Sequence, residues 1–187
     1  QILEEYFAAK EPEQEVPVVS EVIDINHTKE YEDLTIHKVN EHTRAYIKIQ
    51  AGCNQFCSYC IIPYTRGRIR SKNPEEVIEE VKNLAAQGYK EIVLTGIHLS
   101  SYGKDLGDIT LLDVIQRIQQ IEDIERIRLG SLEPRIITEQ FLKLLRACDK
   151  VCPHFHLSLQ SGCDETLNRM NRKITTEEYA TALNVLR

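Results

Sequence analysis

Short apolar segments alternate with longer amphipathic ones along most of this chain, and that alternation restricts the possible folds more than any other property of the sequence. Ala45, Ile47 and Ile49 alternate with Tyr46, Lys48 and Gln50 at the period of two expected of a strand. Ile92-Val93-Leu94-Thr95 is a nearly unbroken apolar run ending at Gly96, as in a parallel strand covered on both faces. Ile127 and Leu129 mark a third strand, and His154 to Gln160, with Phe155, Leu157 and Leu159 alternating, a fourth. Asn73 as N-cap, Pro74 at the first helical position and Glu76 three after the cap start a helix. Its apolar stripe is Val77, Ile78, Val81, Leu84 and Ala85, and Gly88 stops it. Thr110 with Asp113 starts a second helix carrying Leu111, Leu112, Val114, Ile115, Ile118 and Ile121. Thr138 opens a third through Phe141, Leu144 and Leu145, and Thr175 or Thr176 a last one reaching Arg187.

Strand and helix repeating over about 35 to 40 residues predict right-handed βαβ units and a parallel sheet. About four such units cannot close a barrel of eight. No G-x-G-x-x-G follows the first strand, so an open dinucleotide-binding sheet fits less well than a partial parallel (β/α) barrel.

Cys53-Asn54-Gln55-Phe56-Cys57-Ser58-Tyr59-Cys60 follows the first strand directly as C-x-x-x-C-x-x-C. In parallel α/β folds the C-terminal ends of strands are where sites form. Three thiolates at this spacing can wrap a 4Fe-4S cubane, which normally takes four cysteines, so one iron is left open. An amino-acid-like molecule can chelate that iron through its amine and carboxylate and bring a sulfonium to the cluster. A zinc knuckle closed by a histidine such as His98 is the alternative, although zinc spacings favour C-x-x-C pairs further apart. Cys148, Cys152 and Cys163 lack close ligand spacing and read as buried or idle thiols, and His154 and His156 merely mark one face of a strand.

A net charge of -6 excludes gripping nucleic acid through the overall field, so any such contact must be local. Arg66, Arg68, Arg70 and Lys72 form a local basic run suited to phosphates and unstacked bases, or simply a solvated turn. Glu4, Glu5, Glu11, Glu13, Glu15, Glu21, Asp24, Glu30, Glu32 and Asp33 crowd the beginning, where Pro12 and Pro17 interrupt regular structure. Residues 1–40 therefore read as an acidic linker and 41–187 as the core. No apolar run reaches the eighteen or so residues of a membrane span, and no signal-peptide order is seen, so a cytoplasmic protein is expected.

The cysteine motif with Tyr59 before its last cysteine resembles the signature of radical S-adenosylmethionine (SAM) enzymes. Gly52-Cys53-Asn54, Cys60-Ile61-Ile62-Pro63-Tyr64-Thr65-Arg66-Gly67, Leu157-Ser158-Leu159-Gln160-Ser161-Gly162 and Met170-Asn171-Arg172 are similar to the methylthiotransferase branch. Within it, Thr95-Gly96-Ile97-His98-Leu99-Ser100-Ser101-Tyr102-Gly103 resembles enzymes that methylthiolate N6-threonylcarbamoyladenosine beside the tRNA anticodon. Relatives acting on isopentenyladenosine or on a ribosomal protein carry other words there.

The resemblance implies a partial barrel of the radical SAM type, a 4Fe-4S cluster on Cys53, Cys57 and Cys60, and SAM as cofactor. Tyr59 is then expected beside the adenine, Gly96, Ile97 and His98 near the methionine, Ser131 and Glu133 near the ribose, and Gln160 and Arg172 completing the site. Blander readings are that Gly96 ends a strand, Glu133 pairs with Arg135 and Gln160 satisfies backbone groups. The implied reaction uses a 5'-deoxyadenosyl radical to activate the adenine C2 position. The implied partners are a tRNA anticodon loop and a flavodoxin- or ferredoxin-type electron donor, with the protein a monomer. Members of the branch also carry an N-terminal domain holding a second 4Fe-4S cluster and a C-terminal RNA-binding domain. Residues 1–40 would be the remnant leading from the first, the barrel would continue past Arg187, and the 187 residues alone are expected to be inactive. Ala51 in place of an acidic residue and Ile174 in place of an aromatic depart from the branch pattern. A zinc-stabilised RNA-binding module is the non-enzymatic alternative.

Overall fold

Burial of branched side chains in three parallel strands organises the molecule, seen in a computed structural model that describes residues 23–32 and 43–187. The strands are β1 (Arg44–Ala51), β2 (Arg70–Ser71), β3 (Glu91–Gly96) and β4 (Arg126–Leu129). Their order is β2-β1-β3-β4, with β1, β3 and β4 parallel and β2 antiparallel to β1. Ala45, Ile47, Ile49, Ile92, Leu94, Ile127 and Leu129 present one face to the core. At about 2 kcal/mol per buried Ile or Leu, this face outweighs any single helix cap at about 1 kcal/mol. Packing therefore fixes the sheet, while caps fix where the helices begin.

The helices are α1 (Ile62–Thr65), α2 (Pro74–Ala86), α3 (Leu111–Gln119), α4 (Glu139–Arg146), α5 (Asp164–Arg169) and α6 (Thr176–Leu186). Asn73 caps α2 by accepting from the Glu75 amide, and Thr138 caps α4 by accepting from Phe141. Reciprocal capping boxes open α3 at Thr110 with Asp113 and α6 at Thr175 with Glu178. α2 packs on α3, α3 on α4, and α4 on α6.

Two expectations are corrected. The fourth strand over 154–160 is not built: two isolated parallel bridges, Ile127↔Val151 and Leu132↔Leu157, join this segment to the sheet. Pro153 has no N–H for a ladder, and the chain turns away after Leu129 into the short 3-10 turn Pro134–Ile136. Nor, among the described residues, does a second helical layer cover β3. Val93 is buried where it lies in register between Tyr46 of β1 and Arg128 of β4, and that face is otherwise more open, with Tyr46 itself exposed.

Of the linker expected over 1–40, residues 1–22 and 33–40 lie outside the described residues. Residues 23–32 lie along the β1 edge: the Tyr31 hydroxyl donates to the Lys48 carbonyl at 2.5 Å, and the Lys48 ammonium stands 5.2 Å from the Tyr31 ring.

Candidate active site

The site lies at the C-terminal ends of β1, β3 and β4, and it begins with a glycine that no other residue could replace. Gly52 has φ +68°, and a Cβ there would sit 1.8 Å from the Arg68 carbonyl oxygen. The chain can thus fold back on itself, the Cys53 amide donating to the Gly67 carbonyl at 3.1 Å. Beyond it, Phe56 at φ 52° and the Cys60 amide donating to the Cys57 carbonyl at 2.9 Å curl the cysteine loop. Cys53, Cys57 and Cys60 all face one cleft of about 160 Å³, and all three are free thiols. Burial above all pushes the Cys53 thiol up, and its two neighbouring cysteines push the same way. A cation or metal is therefore needed to hold Cys53 as a thiolate.

Tyr59, Ile97, His98, Ser131, Glu133, Gln160 and Arg172 line the same cleft. The fold thus brings together residues up to 119 positions apart in the chain, from Cys53 to Arg172. Gly96 stands behind this wall. A Cβ there would come within 2.9 Å of the Gln50 Cβ, so its absence makes room for that side chain. Glu133 is held by Arg135, whose Nε donates to its two carboxylate oxygens at 3.1 and 3.3 Å. Ser131 Oγ lies 2.7 Å from His156 Nδ1. Gln160 adopts φ 82°, an unusual conformation for a side chain other than glycine.

Two buried nitrogens in the wall lack partners. His98 Nδ1 is 2.5 Å from Ser101 Oγ, while its Nε2 has no hydrogen-bond partner among the described residues. Burial, reinforced by the Lys104 charge, lowers its pKa to about 4, so the imidazole is neutral near pH 7. Arg172 Nη2 donates to the Ser158 carbonyl at 2.7 Å and Nη1 lies 3.9 Å from Cys57 Sγ, whereas its Nε is buried without a partner. Buried polar groups are rarely left unsatisfied, so these nitrogens mark where a polar ligand belongs.

Sequence reasoning missed the residues that hold the site together. Gln50 is fully buried: its Nε2 donates to the Ala51 and Gly52 carbonyls at 2.7 and 2.8 Å, and its Oε1 accepts from the His98 amide at 2.6 Å. Asn171 Nδ2 donates to the Phe56 carbonyl at 2.9 Å, and the Ser58 amide donates to the Met170 carbonyl at 3.0 Å. The Met170-Asn171-Arg172 word is therefore a clasp for the cysteine loop; only its similarity to a known branch had drawn attention to it.

The basic run divides. Arg66 and Arg68 are exposed, but Arg70 and Lys72 are buried, and Lys72 Nζ pairs with Glu80 at 2.7 Å. The expectation of four cations facing one nucleic acid is corrected accordingly: β2 turns the second pair inward. Cys148 is buried in the core, Cys152 half-buried and Cys163 exposed.

A model of the radical SAM superfamily matches residues 47–187. The chain belongs to that superfamily. Curated proteins named for tRNA methylthiolation are also similar in sequence. The chain is 42% identical over 170 residues to the threonylcarbamoyladenosine tRNA methylthiotransferase MtaB of Bacillus subtilis, a match covering 90% of the chain and 38% of that protein. It is 46% identical over 151 residues to the tRNA-2-methylthio-N(6)-dimethylallyladenosine synthase of Thermoanaerobacter sp., covering 80% and 32%. The chain thus spans about two fifths or less of the length of these relatives. Among solved structures, the radical SAM methyltransferase TsrM of Kitasatospora setae superposes with TM-score 0.60 at 20% identity, over 76% of this chain and 28% of that one. The cobalamin-dependent radical SAM enzyme OxsB gives 0.61 at 16%, over 75% and 22%. With the family match, these two likenesses show the fold to be the partial barrel of that superfamily.

Proposed function

We propose that this chain is the catalytic core of a cytoplasmic tRNA methylthiotransferase that binds a 4Fe-4S cluster and SAM in the cleft. The observation that carries the reading is the convergence of three free thiols with the unsatisfied nitrogens of His98 and Arg172 in one cleft at the strand ends. The donor set suits the cluster. A cubane spreads three thiolates over three irons and leaves the fourth iron open, which three cysteines lining one cleft can supply.

Cys53, Cys57 and Cys60 would hold the cluster, which when bound supplies the electron that splits the SAM sulfonium to a carbon-centred radical. Around it the chain's own residues orient and exclude. Arg172 offers positive charge beside Cys57 and an Nε for a carboxylate or thiolate. His98 stays neutral and can donate or accept at Nε2 without adding a charge. Tyr59 offers a ring to the adenine. Glu133, fixed by Arg135, is an acceptor for ribose hydroxyls.

The relatives' names include both threonylcarbamoyladenosine and dimethylallyladenosine substrates. The Thr95–Gly103 word favours C2 of N6-threonylcarbamoyladenosine. Its segment supplies Ile97 and His98 to the cleft, where a specificity difference would be felt. A tRNA anticodon loop and a flavodoxin- or ferredoxin-type donor are the partners, and a second cluster, carried outside this chain, is the sulfur source.

Iron and sulfide quantified after anaerobic reconstitution test the cluster: brown protein absorbing near 400 nm is expected, and stoichiometric zinc in colourless protein would reject it. Mass spectrometry of tRNA from a deletion strain tests the substrate. Loss of methylthio-threonylcarbamoyladenosine is expected, and an unchanged level would move the assignment to dimethylallyladenosine or to a ribosomal protein.

A further inference from the structure

The inward turn of Arg70 and Lys72 leaves Arg66 and Arg68 exposed, and Arg68 meets an aromatic pair in a contact the basic run alone did not suggest. The Arg68 guanidinium lies over the Phe56 ring with its carbon 4.5 Å from the centroid. Tyr64 meets the same ring edge to face, 5.7 Å between centroids at 79°. Phe56 is thus held by a cation on one side and an aromatic edge on another, geometries worth holding because the ring quadrupole attracts both. Tyr64 nevertheless remains 61% exposed, although a phenol ring of that size would normally bury more of itself in a chain free to fold around it.

Position along α1 sets its direction. Ile62 lines the cleft, and Tyr64, two residues on, is rotated by about 200° at 100° per helical residue, so it faces away from the cleft. The platform therefore serves not the reacting base but something beside it. Flat aromatic surface interleaved with guanidinium groups is the chemistry that grips unstacked bases, whose faces stack on rings while Arg serves stacking and phosphate.

Resting on the tRNA reading above, we infer that Phe56, Tyr64 and Arg68 form a stacking platform for an unpaired loop base adjacent to the modified adenosine, with Arg66 on the neighbouring phosphate. Stacking that base outside the cleft splays the loop and leaves the target adenosine to enter alone. An acidic redox protein could also meet two arginines, but it would gain little from an exposed phenol ring.

The test uses the anaerobically reconstituted protein and anticodon stem-loop RNAs carrying 2-aminopurine at each loop position flanking the target. Quenching at one flanking position is expected on binding. Tyr64→Leu is expected to remove that quenching and weaken binding roughly tenfold, while Tyr64→Phe keeps both. Arg68→Gln, a second route should Tyr64→Leu disturb the cluster absorbance near 400 nm, is expected to weaken binding and lower the salt slope by roughly one. Quenching and affinity unchanged in Tyr64→Leu and Arg68→Gln would overturn the platform alone. Cluster-loaded wild-type protein without affinity for any stem-loop would overturn the tRNA reading itself. Intact RNA binding by Tyr64→Leu with slower reduction by flavodoxin would give the surface to the electron donor and overturn the inference.

Discussion

The two ends of the same three parallel strands solve the problem of buried polar groups in opposite ways. At the N-terminal ends, Glu91 is buried but accepts from Arg126 Nε at 2.8 Å and Arg128 Nε at 2.6 Å, with Arg44 Nη1 at 3.7 Å. Every charge there has a partner within the protein. At the C-terminal ends, three thiols and two orphaned nitrogens face a cleft. One end is closed and contributes to stability. The other leaves its polar groups for a ligand, the division seen in barrels whose chemistry sits at the C-terminal face.

The largest expected contrast comes from Cys57→Ala. Bound iron should fall by more than the roughly 10- to 100-fold typical of removing a mere supporting partner. Because Cys57 is only half-buried, the apo protein should unfold within a few degrees of the wild type. Iron content and thermal melts check both halves; an iron-loaded variant would break the comparison at its open end.

Gly52→Ala attacks the same end through the backbone. The forced left-handed conformation and the 1.8 Å approach to Arg68 should cost about 3 kcal/mol or more, measured by urea unfolding. Glu91→Gln probes the closed end and should cost about 1–2 kcal/mol while leaving reconstituted iron unchanged.

Its pH dependence follows from the sign of the shift. The Arg126 guanidinium, with Arg128 and Arg44 nearby, holds the Glu91 carboxyl below the usual range. The stabilisation is complete above about pH 4.3, the ordinary glutamate value, and is lost as pH falls through the lower folded value. Glu91→Gln should therefore flatten the acid limb of the stability curve. A titration at the open end sharpens the contrast further. With a folded pKa of about 4, His98 should show no imidazole titration by NMR between about pH 5.5 and 8, and its contribution to apo stability should decline from about pH 6.5 towards 4. A titration step near 6.5 would show a solvated imidazole.

Much of this was legible from local sequence. The helix starts at Asn73, Thr110, Thr138 and Thr175 were readable because capping is decided within four residues, and β1, β3 and β4 because burial imposes a period. The cysteine spacing announced the open end. What stayed hidden depends on distant partners. Gln50 alternates like a solvent-facing strand residue, yet it is buried by contacts to His98, 48 positions away. Arg70 and Lys72 look like free surface charge until β2 pairs with β1 and Glu80 meets Lys72. The clasp from Asn171 to Phe56 spans 115 positions, and no local pattern encodes it.

The two isolated bridges beyond β4 have a mechanical consequence. Among the described residues, the Ile127–Lys150, Cys152–Ile127, Leu132–His156 and Ser158–Leu132 backbone bonds rivet this wall in place, while β1 and β3 are sewn from Arg44↔Glu91 to Gln50↔Gly96 with one irregularity between Lys48 and Gln50. Ser158 and Gln160 stand on the riveted wall, whereas Cys53 and His98 stand on the sewn one. Local opening should run lower on the riveted side, so the cleft is a vice with one fixed jaw and one that yields, able to admit a bulky guest without loosening the side that carries Cys53.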